Sequence, residues 1–273
     1  MPHIDVMELA AILRDAAKAE ILPRFRRLDK SMVSQKSEAI DLVTEADLAS
    51  ERMISAAIAD RWPGTLVVGE EAVAANPPLL AALADADVAI TVDPVDGTAN
   101  FAAGLPAFAV MAAVVVRGET VAGVIYDPMG DDWLLAERGA GAWLVRPDGE
   151  RLKQRLADPV PLERMVGVAS PYLLPHPMRQ PILSNLHKVR LNASYRCAGH
   201  EYRMIVGGHL HYLMYGKLMP WDHLPGSLIA AEAGAYLGRL DGSRYEVSHT
   251  AGGLIVTTDR ESFETLRREV FTV

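Results

Sequence analysis

The sequence predicts a mixed α/β fold organised in two halves. An apolar helical stripe near the start, paired β-rich runs in the first half, and alternating strand and helix signals in the second half support this prediction. With 273 residues, half of them hydrophobic, the chain can form one large or two moderate domains with an ample core. The polar stretch 146–161 separates the two patterns, so we expect an α+β domain over residues 1–150 and an α/β domain over residues 151–273.

The first half begins with two predicted helices. Apolar residues share one stripe over 5–22, where Asp5 is a favoured N-cap and Pro23 ends the helix. The second helix is expected to run from near Thr44 to the Trp-Pro-Gly sequence at 62–64. The other predicted elements are a polar loop at 31–40, strands at 65–68 and 88–92, and two hairpins, 107–116 with 120–126 and 133–136 with 142–145.

In the second half, strand-like and helix-like segments alternate, which is typical of α/β layers. The predicted strands are 165–169, 211–215 and 254–257, and the predicted helices are 178–187, 199–206, 224–235 and 261–270.

The net charge of −8 argues against nucleic acid as a main ligand, because such proteins normally present a basic face. The single cysteine, Cys197, excludes an intramolecular disulfide and is expected to be a buried packing residue rather than a nucleophile. The first residues lack a signal-peptide pattern, and no apolar run approaches the roughly 20 residues that span a bilayer. We therefore expect a soluble, cytoplasmic protein with no membrane partner.

The most informative segment is Asp-Pro-Val-Asp-Gly-Thr at 93–98. It places two carboxylates three residues apart after an apolar strand, where open α/β sheets build their sites. Two such acids repel each other unless a cation lies between them, and acid clusters without His or Cys favour Mg²⁺ or Mn²⁺. The glycine lets the backbone turn and approach a ligand closely, and the helix start that follows offers free N–H groups to a phosphate.

Two further acids lie at comparable positions. Glu70 follows a predicted strand, and Asp222 precedes a predicted helix. Taken alone, Glu70 with its neighbour is typical of a solvated surface pair, and Asp222 of a helix cap. Together with residues 93–98, however, both acids become candidate ligands of a hard metal ion.

Four segments, in order and spacing, resemble the inositol monophosphatase family: Asp41 to Asp47, Gly-Glu-Glu at 69–71, residues 93–98, and Trp221-Asp222 with Glu-Ala-Gly at 232–234. The resemblance covers nearly the whole chain. It implies a layered αβαβα sandwich of the sugar-phosphatase type and Mg²⁺-dependent hydrolysis of phosphate monoesters, often inhibited by Li⁺. It also implies a homodimer.

The resemblance assigns roles to individual residues. Glu70, Asp93 and the carbonyl of Val95 would hold one metal, and Asp93, Asp96 and Asp222 a second, with Glu70 also reaching a weaker third ion. Asp47, Thr98 and Glu70 would serve catalysis, with Thr98 and Asp47 orienting the attacking water. The backbone amides of Gly97 and Thr98 would bind the phosphate, and Lys36 matches a basic position near the third metal.

The substrate pocket departs from the inositol-preferring pattern. The expected substrate-binding residues are Asp96, Gly199, His200, Glu201, Tyr215 and Asp222. Tyr215 stands where such members carry a glutamate, and Glu201 stands where they carry a small residue. Glu201 could pair with a cationic substrate group, such as the amine of histidinol phosphate.

The leading hypothesis is a phosphatase acting on a small soluble phosphate monoester, inositol-1-phosphate-like. Histidinol phosphate, a sugar phosphate and a 3′-phosphoadenosine nucleotide are the alternative substrates. A second hypothesis is a regulatory subunit of a transcription or RNA complex with secondary catalysis, although the acidic balance argues against direct RNA binding. A third hypothesis, a structural metal-binding protein, predicts no phosphate release.

Overall fold

A computed structural model describes residues 3–29, 33–35 and 42–272. Its α-helices are α1 (Val6–Ala16), α2 (Glu45–Arg61), α3 (Glu70–Ala75), α4 (Pro78–Ala81), α5 (Thr98–Ala102), α6 (His176–Asn185), α7 (Ala198–Val206), α8 (Pro220–Glu232) and α9 (Arg260–Glu269). Its strands are β1 (Val33–Gln35), β2 (Leu42–Thr44), β3 (Leu66–Gly69), β4 (Val88–Asp96), β5 (Ala109–Val116), β6 (Glu119–Asp127), β7 (Asp132–Glu137), β8 (Ala142–Val145), β9 (Arg151–Lys153), β10 (Val166–Ser170), β11 (Leu191–Ala193), β12 (Tyr212–Tyr215), β13 (Tyr236–Arg239) and β14 (Leu254–Thr257).

Two large sheets organise the molecule. The first sheet has the order β3-β4-β5-β6-β7-β8-β9; β3 and β4 are parallel, and every later pair is antiparallel. Both predicted hairpins are present, as β5–β6 and β7–β8. The second sheet has the order β11-β10-β12-β14-β13, with β10 parallel to both of its neighbours.

Helices cover and separate the sheets because each sheet must bury its apolar faces. The apolar stripes of α1 and α2 pack on one face of the first sheet, and α7 and α8 lie between the sheets. On the outer face of the second sheet, α6 and α9 close a third core. The expected layered αβαβα sandwich is therefore confirmed.

Several elements differ from the sequence predictions. The first helix keeps α-helical geometry only to Ala16 and continues as a π-turn over Ala17–Ile21 and a 3-10 turn that contains Pro23. Within the predicted loop 31–40, β1 pairs with β2 as a short ribbon, so the loop prediction is wrong there. Lys36 and Asp41 lie outside the described residues.

Two segments of the second half also differ. The three residues of β9 pair with β8, so the first sheet extends just past residue 150; the division into two domains stays a prediction. Helix α8 begins four residues earlier than expected, because Pro220 is tolerated in the first helical turn, where a missing N–H costs nothing. Asp222 therefore lies inside the first turn of α8 and not at its cap, which is Met219.

None of the helices within residues 3–29, 33–35 and 42–272 combines the length and the apolar character that a membrane span requires.

Candidate active site

Strand β4 carries three of the predicted site residues because it extends beyond Val92, where the sequence prediction ended it. Asp93 pairs with Met111 and Asp96 with Ala109, so β4 holds one residue more than β5 across this interval. Such a bulge bends a strand and redirects its side chains. Pro94, which lacks an N–H to give to the sheet, lies within the bulge.

Four carboxylates face one another at this end of the first sheet. Burial first, and then the charges of Glu70, Asp222 and Asp96, raise the pKa of Asp93 well above its usual range. Burial, followed by Glu70 and Asp96, raises the pKa of Asp222 to about 8. The side chains of Asp93 and Asp222 lie close enough to interact directly, and two carboxyl groups can form a hydrogen bond only when one of them carries a proton. Without a cation, this site therefore retains protons that ordinary aspartates release.

The donor chemistry of this cluster fits a hard divalent cation. Among the described residues, no group of three or more His, Cys, Asp or Glu side chains is arranged so that it could hold a metal ion as it stands. The fit is carried instead by four mutually repelling oxygen donors in a mostly buried place, which is the environment that Mg²⁺ or Mn²⁺ relieves.

Asp47, from α2, and Thr98, from the start of α5, are brought into contact at the site. Asp47 is fully buried in the first turn of α2, where it completes a capping box with Thr44. Its Oδ1 lies 3.1 Å from the hydroxyl oxygen of Thr98, which is also 3.0 Å from the carbonyl oxygen of Val95. The Thr98 hydroxyl has one proton for two acceptors, so it is poised to receive a hydrogen bond from a third group while donating to Asp47 or Val95.

The phosphate cradle expected at residues 97–98 has the required backbone shape. Gly97 has a φ of +89°, a left-handed conformation that favours glycine. A Cβ at this position would lie 2.8 Å from the carbonyl oxygen of Ala107, so a larger residue would also clash. Helix α5 starts at Thr98, and its first amides have no acceptor within the helix.

Glu70 is the first residue of α3, and a buried acid from α2 fixes that helix. The Glu51 carboxylate accepts hydrogen bonds from the N–H groups of Glu71, at 2.8 Å, and Ala72, at 2.7 Å. An ideal Cβ on Gly69 would lie 2.3 Å from the Glu51 carboxyl carbon. The glycine before Glu70 is therefore required by the position of Glu51, a relationship that sequence reasoning missed.

The carboxylate of Asp96 is held by the start of α7. It accepts hydrogen bonds from the amides of Ala198, at 3.1 Å, and Gly199, at 2.6 Å, and from the thiol of Cys197, at 3.0 Å. A Cβ on Gly199 would lie 2.8 Å from the Ala109 Cβ, so glycine permits this close approach. Cys197 is buried, as expected, and burial followed by the Asp96 charge raises the pKa of its thiol. Its role as a donor to Asp96 was not predicted.

The predicted substrate residues differ in how they face the site. His200 is partly exposed, and its Nε2 lies 3.2 Å from the Phe108 carbonyl oxygen. Glu201 is only 2% exposed, and its carboxylate accepts a hydrogen bond from the Tyr195 N–H at 2.9 Å. Tyr215 is also buried, and its hydroxyl lies beside the Glu201 carboxylate, although it makes no hydrogen bond of good geometry with the described residues. These positions favour a structural role for Glu201 and Tyr215 over direct contact with a substrate.

Burial acts on the pKa of both of these side chains. It raises the pKa of Glu201 to about 7, although the backbone donors Tyr195 and Arg196 lower it. Burial, and then the Glu201 charge, raises the pKa of the Tyr215 hydroxyl well above its usual range. Neither group therefore offers a solvated negative charge for a cationic substrate.

A layered αβαβα sandwich with an acidic cluster at a bulged strand end is the architecture expected of a protein of the sugar-phosphatase type. The chain belongs to the inositol monophosphatase family, whose model matches residues 5–271. It is accordingly a phosphoric monoester hydrolase.

Individual relatives span most of the chain. A Vibrio cholerae protein named Nus factor SuhB is 31% identical over 233 residues, covering 82% of this chain and 81% of that protein. A Thermotoga maritima protein named fructose-1,6-bisphosphatase/inositol-1-monophosphatase is 30% identical over 217 residues, covering 77% and 76%. The structure of extragenic suppressor protein suhB from Bartonella henselae matches with a TM-score of 0.79 at 25% identity, covering 97% of this chain and 98% of that chain.

Proposed function

We propose that the protein is a Mg²⁺-dependent phosphatase that hydrolyses a small, soluble, inositol-1-phosphate-like monoester. The observation that carries the proposal is the meeting of four acids, Glu70, Asp93, Asp96 and Asp222, beside the Asp47–Thr98 pair. A phosphate monoester is anionic, and only bound cations allow it to enter a cluster of this charge.

The residues that would hold metal are those expected from the sequence: Glu70, Asp93, Asp96, Asp222 and the carbonyl of Val95. When bound, Mg²⁺ supplies positive charge that screens the ester, lowers the pKa of a water molecule and stabilises the leaving alkoxide. The protein supplies orientation. The Thr98 hydroxyl would accept a hydrogen bond from the attacking water while it donates its own hydrogen bond to Asp47, and the amides of Gly97 and Thr98 would bind phosphate oxygens.

Among the alternative substrates, histidinol phosphate loses its main support. The hypothesis required the Glu201 carboxylate to be available to an amine, but that carboxylate is buried and bonded to Tyr195. The curated relative with two activities in its name supports testing a sugar bisphosphate.

A phosphate-release screen tests the proposal directly. The purified protein is assayed with inositol-1-phosphate, histidinol phosphate, fructose-1,6-bisphosphate and 3′-phosphoadenosine 5′-phosphate, first with EDTA, then with Mg²⁺, then with Mg²⁺ and Li⁺. We expect Mg²⁺-dependent release that is greatest for the inositol-type ester. Release that persists in EDTA would contradict the metal dependence, and no release from any ester would contradict the function.

A second candidate, a regulatory subunit of a transcription or RNA complex, is supported by the relative named Nus factor SuhB. The net charge of −8 favours a protein partner over direct RNA contact. This role would be supported if the tagged protein recovers transcription or ribosomal proteins in stoichiometric amounts, and if the inactive variant Asp93→Asn recovers the same amounts.

We also propose that the protein is a homodimer. Size-exclusion chromatography with light scattering of the purified protein tests this oligomeric state.

A further inference from the structure

The loop formed by Tyr195, Arg196 and Cys197, called here the 195–197 loop, connects β11 to α7 in an unusual conformation. Arg196 has a φ of +53°, in the left-handed region that a residue with a Cβ rarely adopts. A backbone of this kind stores strain and persists only where the surroundings hold it. The contacts that hold the 195–197 loop are therefore of functional interest.

Two side chains hold the loop from opposite sides. Glu201, in the first turn of α7, folds back so that its Oε1 accepts a hydrogen bond from the N–H of Tyr195 at 2.9 Å, and the N–H of Arg196 also interacts with this carboxylate. From α5, the Asn100 side-chain amide donates to the carbonyl oxygen of Tyr195 at 2.8 Å and to that of Ala107 at 2.8 Å. Glu201 thus binds the donors of the loop and Asn100 binds an acceptor.

The loop adjoins two parts of the active site. The last residue of the loop, Cys197, donates a hydrogen bond to the Asp96 carboxylate, and so do the next two residues, Ala198 and Gly199. The loop also packs on Gly97, because a Cβ there would lie 3.2 Å from the Cys197 Cβ and 3.4 Å from the Arg196 carbonyl oxygen. A displacement of the loop would therefore move both Asp96 and the backbone of the phosphate cradle.

We propose that Glu201 is a positioning residue for Asp96. Glu201 acts indirectly, by holding the 195–197 loop in the conformation in which Arg196 is left-handed. The inference rests on the proposed function, in which Asp96 is a metal ligand. Glu201 touches neither metal nor substrate in this account. It fixes the direction of the Ala198 and Gly199 amides, which orient the Asp96 carboxylate.

The test compares Glu201→Gln with a matched control elsewhere in the fold. A carboxylate has two oxygen atoms that accept hydrogen bonds, whereas a carboxamide has only one. In Glu201→Gln the side-chain NH₂ group would therefore face a backbone N–H of the loop, and two donors cannot form a hydrogen bond. Glu232 makes the same type of contact far from the site, where it accepts the N–H groups of Gly139 at 2.8 Å and Gly141 at 2.9 Å. Glu232→Gln therefore removes an equivalent contact without touching the 195–197 loop.

The probe is Mn²⁺, with binding measured by calorimetry and backbone protection of residues 194–199 measured by hydrogen exchange. Outer-shell partners of metal ligands typically contribute tenfold or more to affinity, so we expect Glu201→Gln to bind Mn²⁺ about tenfold more weakly. We expect faster exchange of the 194–199 amides in this variant only. Glu232→Gln should match the wild type in both measurements, and Glu201→Asp should show a smaller loss than Glu201→Gln.

Mn²⁺ affinity of Glu201→Gln within twofold of the wild type, or unchanged exchange at 194–199, would overturn the inference. If Glu201→Gln does not fold, the comparison of Glu201→Asp with the wild type decides the matter by the same two readouts. Failure of the proposed function gives a different result: a wild type that binds Mn²⁺ but releases phosphate from none of the esters.

Discussion

At the scale of single residues, Asp93 is the centre of the site. It is 2% exposed, lies at the bulge of β4, and experiences the charges of Glu70, Asp96 and Asp222. Each of these three acids disfavours a negative charge on Asp93, so a cation that binds here acts most directly on this side chain.

Asp93→Asn should abolish phosphatase activity while the protein stays folded. The amide occupies the same volume but cannot supply the charge that binds a cation, and phosphate ester hydrolysis requires some of the largest rate accelerations known. Phosphate release and circular dichroism provide the measurements, with the exposed Asp158→Asn as control. More than a few percent of residual activity would contradict the assignment.

Substitutions of Cys197 are expected to change the Mg²⁺ dependence of activity by graded amounts. Its thiol donates to Asp96, so Cys197→Ala removes one of three donors, whereas Cys197→Ser replaces it with a stronger one. A weak donor contributes about 0.5–1 kcal/mol, so we expect Cys197→Ala to need roughly two- to fivefold more Mg²⁺ for half-maximal activity. Equal Mg²⁺ dependence in the alanine, serine and wild-type proteins would show that the thiol only fills space.

At the scale of elements, short helices carry the site. Helix α3 has six residues and α5 has five, lengths that are not stable in isolation. Glu51 caps the first and Asn100 ties the second to the 195–197 loop. The precision of the site therefore depends on side chains that contribute no chemistry.

The contact between Glu51 and Gly69 predicts coupling between two substitutions. Gly69→Ala forces its Cβ against the Glu51 carboxylate, and Glu51→Ala removes two hydrogen bonds to α3 but creates space. We expect each single variant to lower the free energy of unfolding, and the double variant to lose less than the sum by about 1–3 kcal/mol. Urea denaturation of the four proteins measures the coupling; strictly additive losses would contradict the contact.

The sequence predicted those features that depend on residues close together in the chain, and it missed those that depend on tertiary contacts. The strand before Asp93, the helix start near Thr44 and the turn at Gly97 are local patterns, and each is present. The α8 start was misplaced because Pro225 resembles a first-turn proline, although Pro220 takes that position. The partnerships of Glu51 with Glu71, and of Glu201 with the 195–197 loop, depend on tertiary contacts that no spacing rule encodes.

At the scale of the whole molecule, the acids of the site link stability to pH and to metal. The raised pKa of Asp222 means that the metal-free folded state retains a proton there that the unfolded chain releases near pH 3.8. This contribution to stability is therefore fully present below pH 3.8 and is lost as the pH rises through about 8.

We accordingly expect metal-free wild type to lose stability relative to Asp222→Asn between pH 4 and pH 8, by on the order of 2 kcal/mol. Saturating Mg²⁺ should restore the wild type at pH 8 and have a smaller effect on Asp222→Asn, because a ligand that binds only the folded state stabilises it. Thermal unfolding at each pH, with EDTA or Mg²⁺, measures both effects. Parallel stability curves for the two proteins would contradict the linkage.

The position of Asp222 at the start of α8 has a consequence for biosynthesis. A nascent chain leaving the ribosome exposes Glu70, Asp93 and Asp96 while the segment that carries Asp222 is still unmade. The first sheet can pair its strands at that stage, but α8, which packs against β5 and β6, and the last carboxylate are both missing. Capture of the metal ion would then be a late event in the maturation of each molecule, and it would separate finished chains from truncated ones.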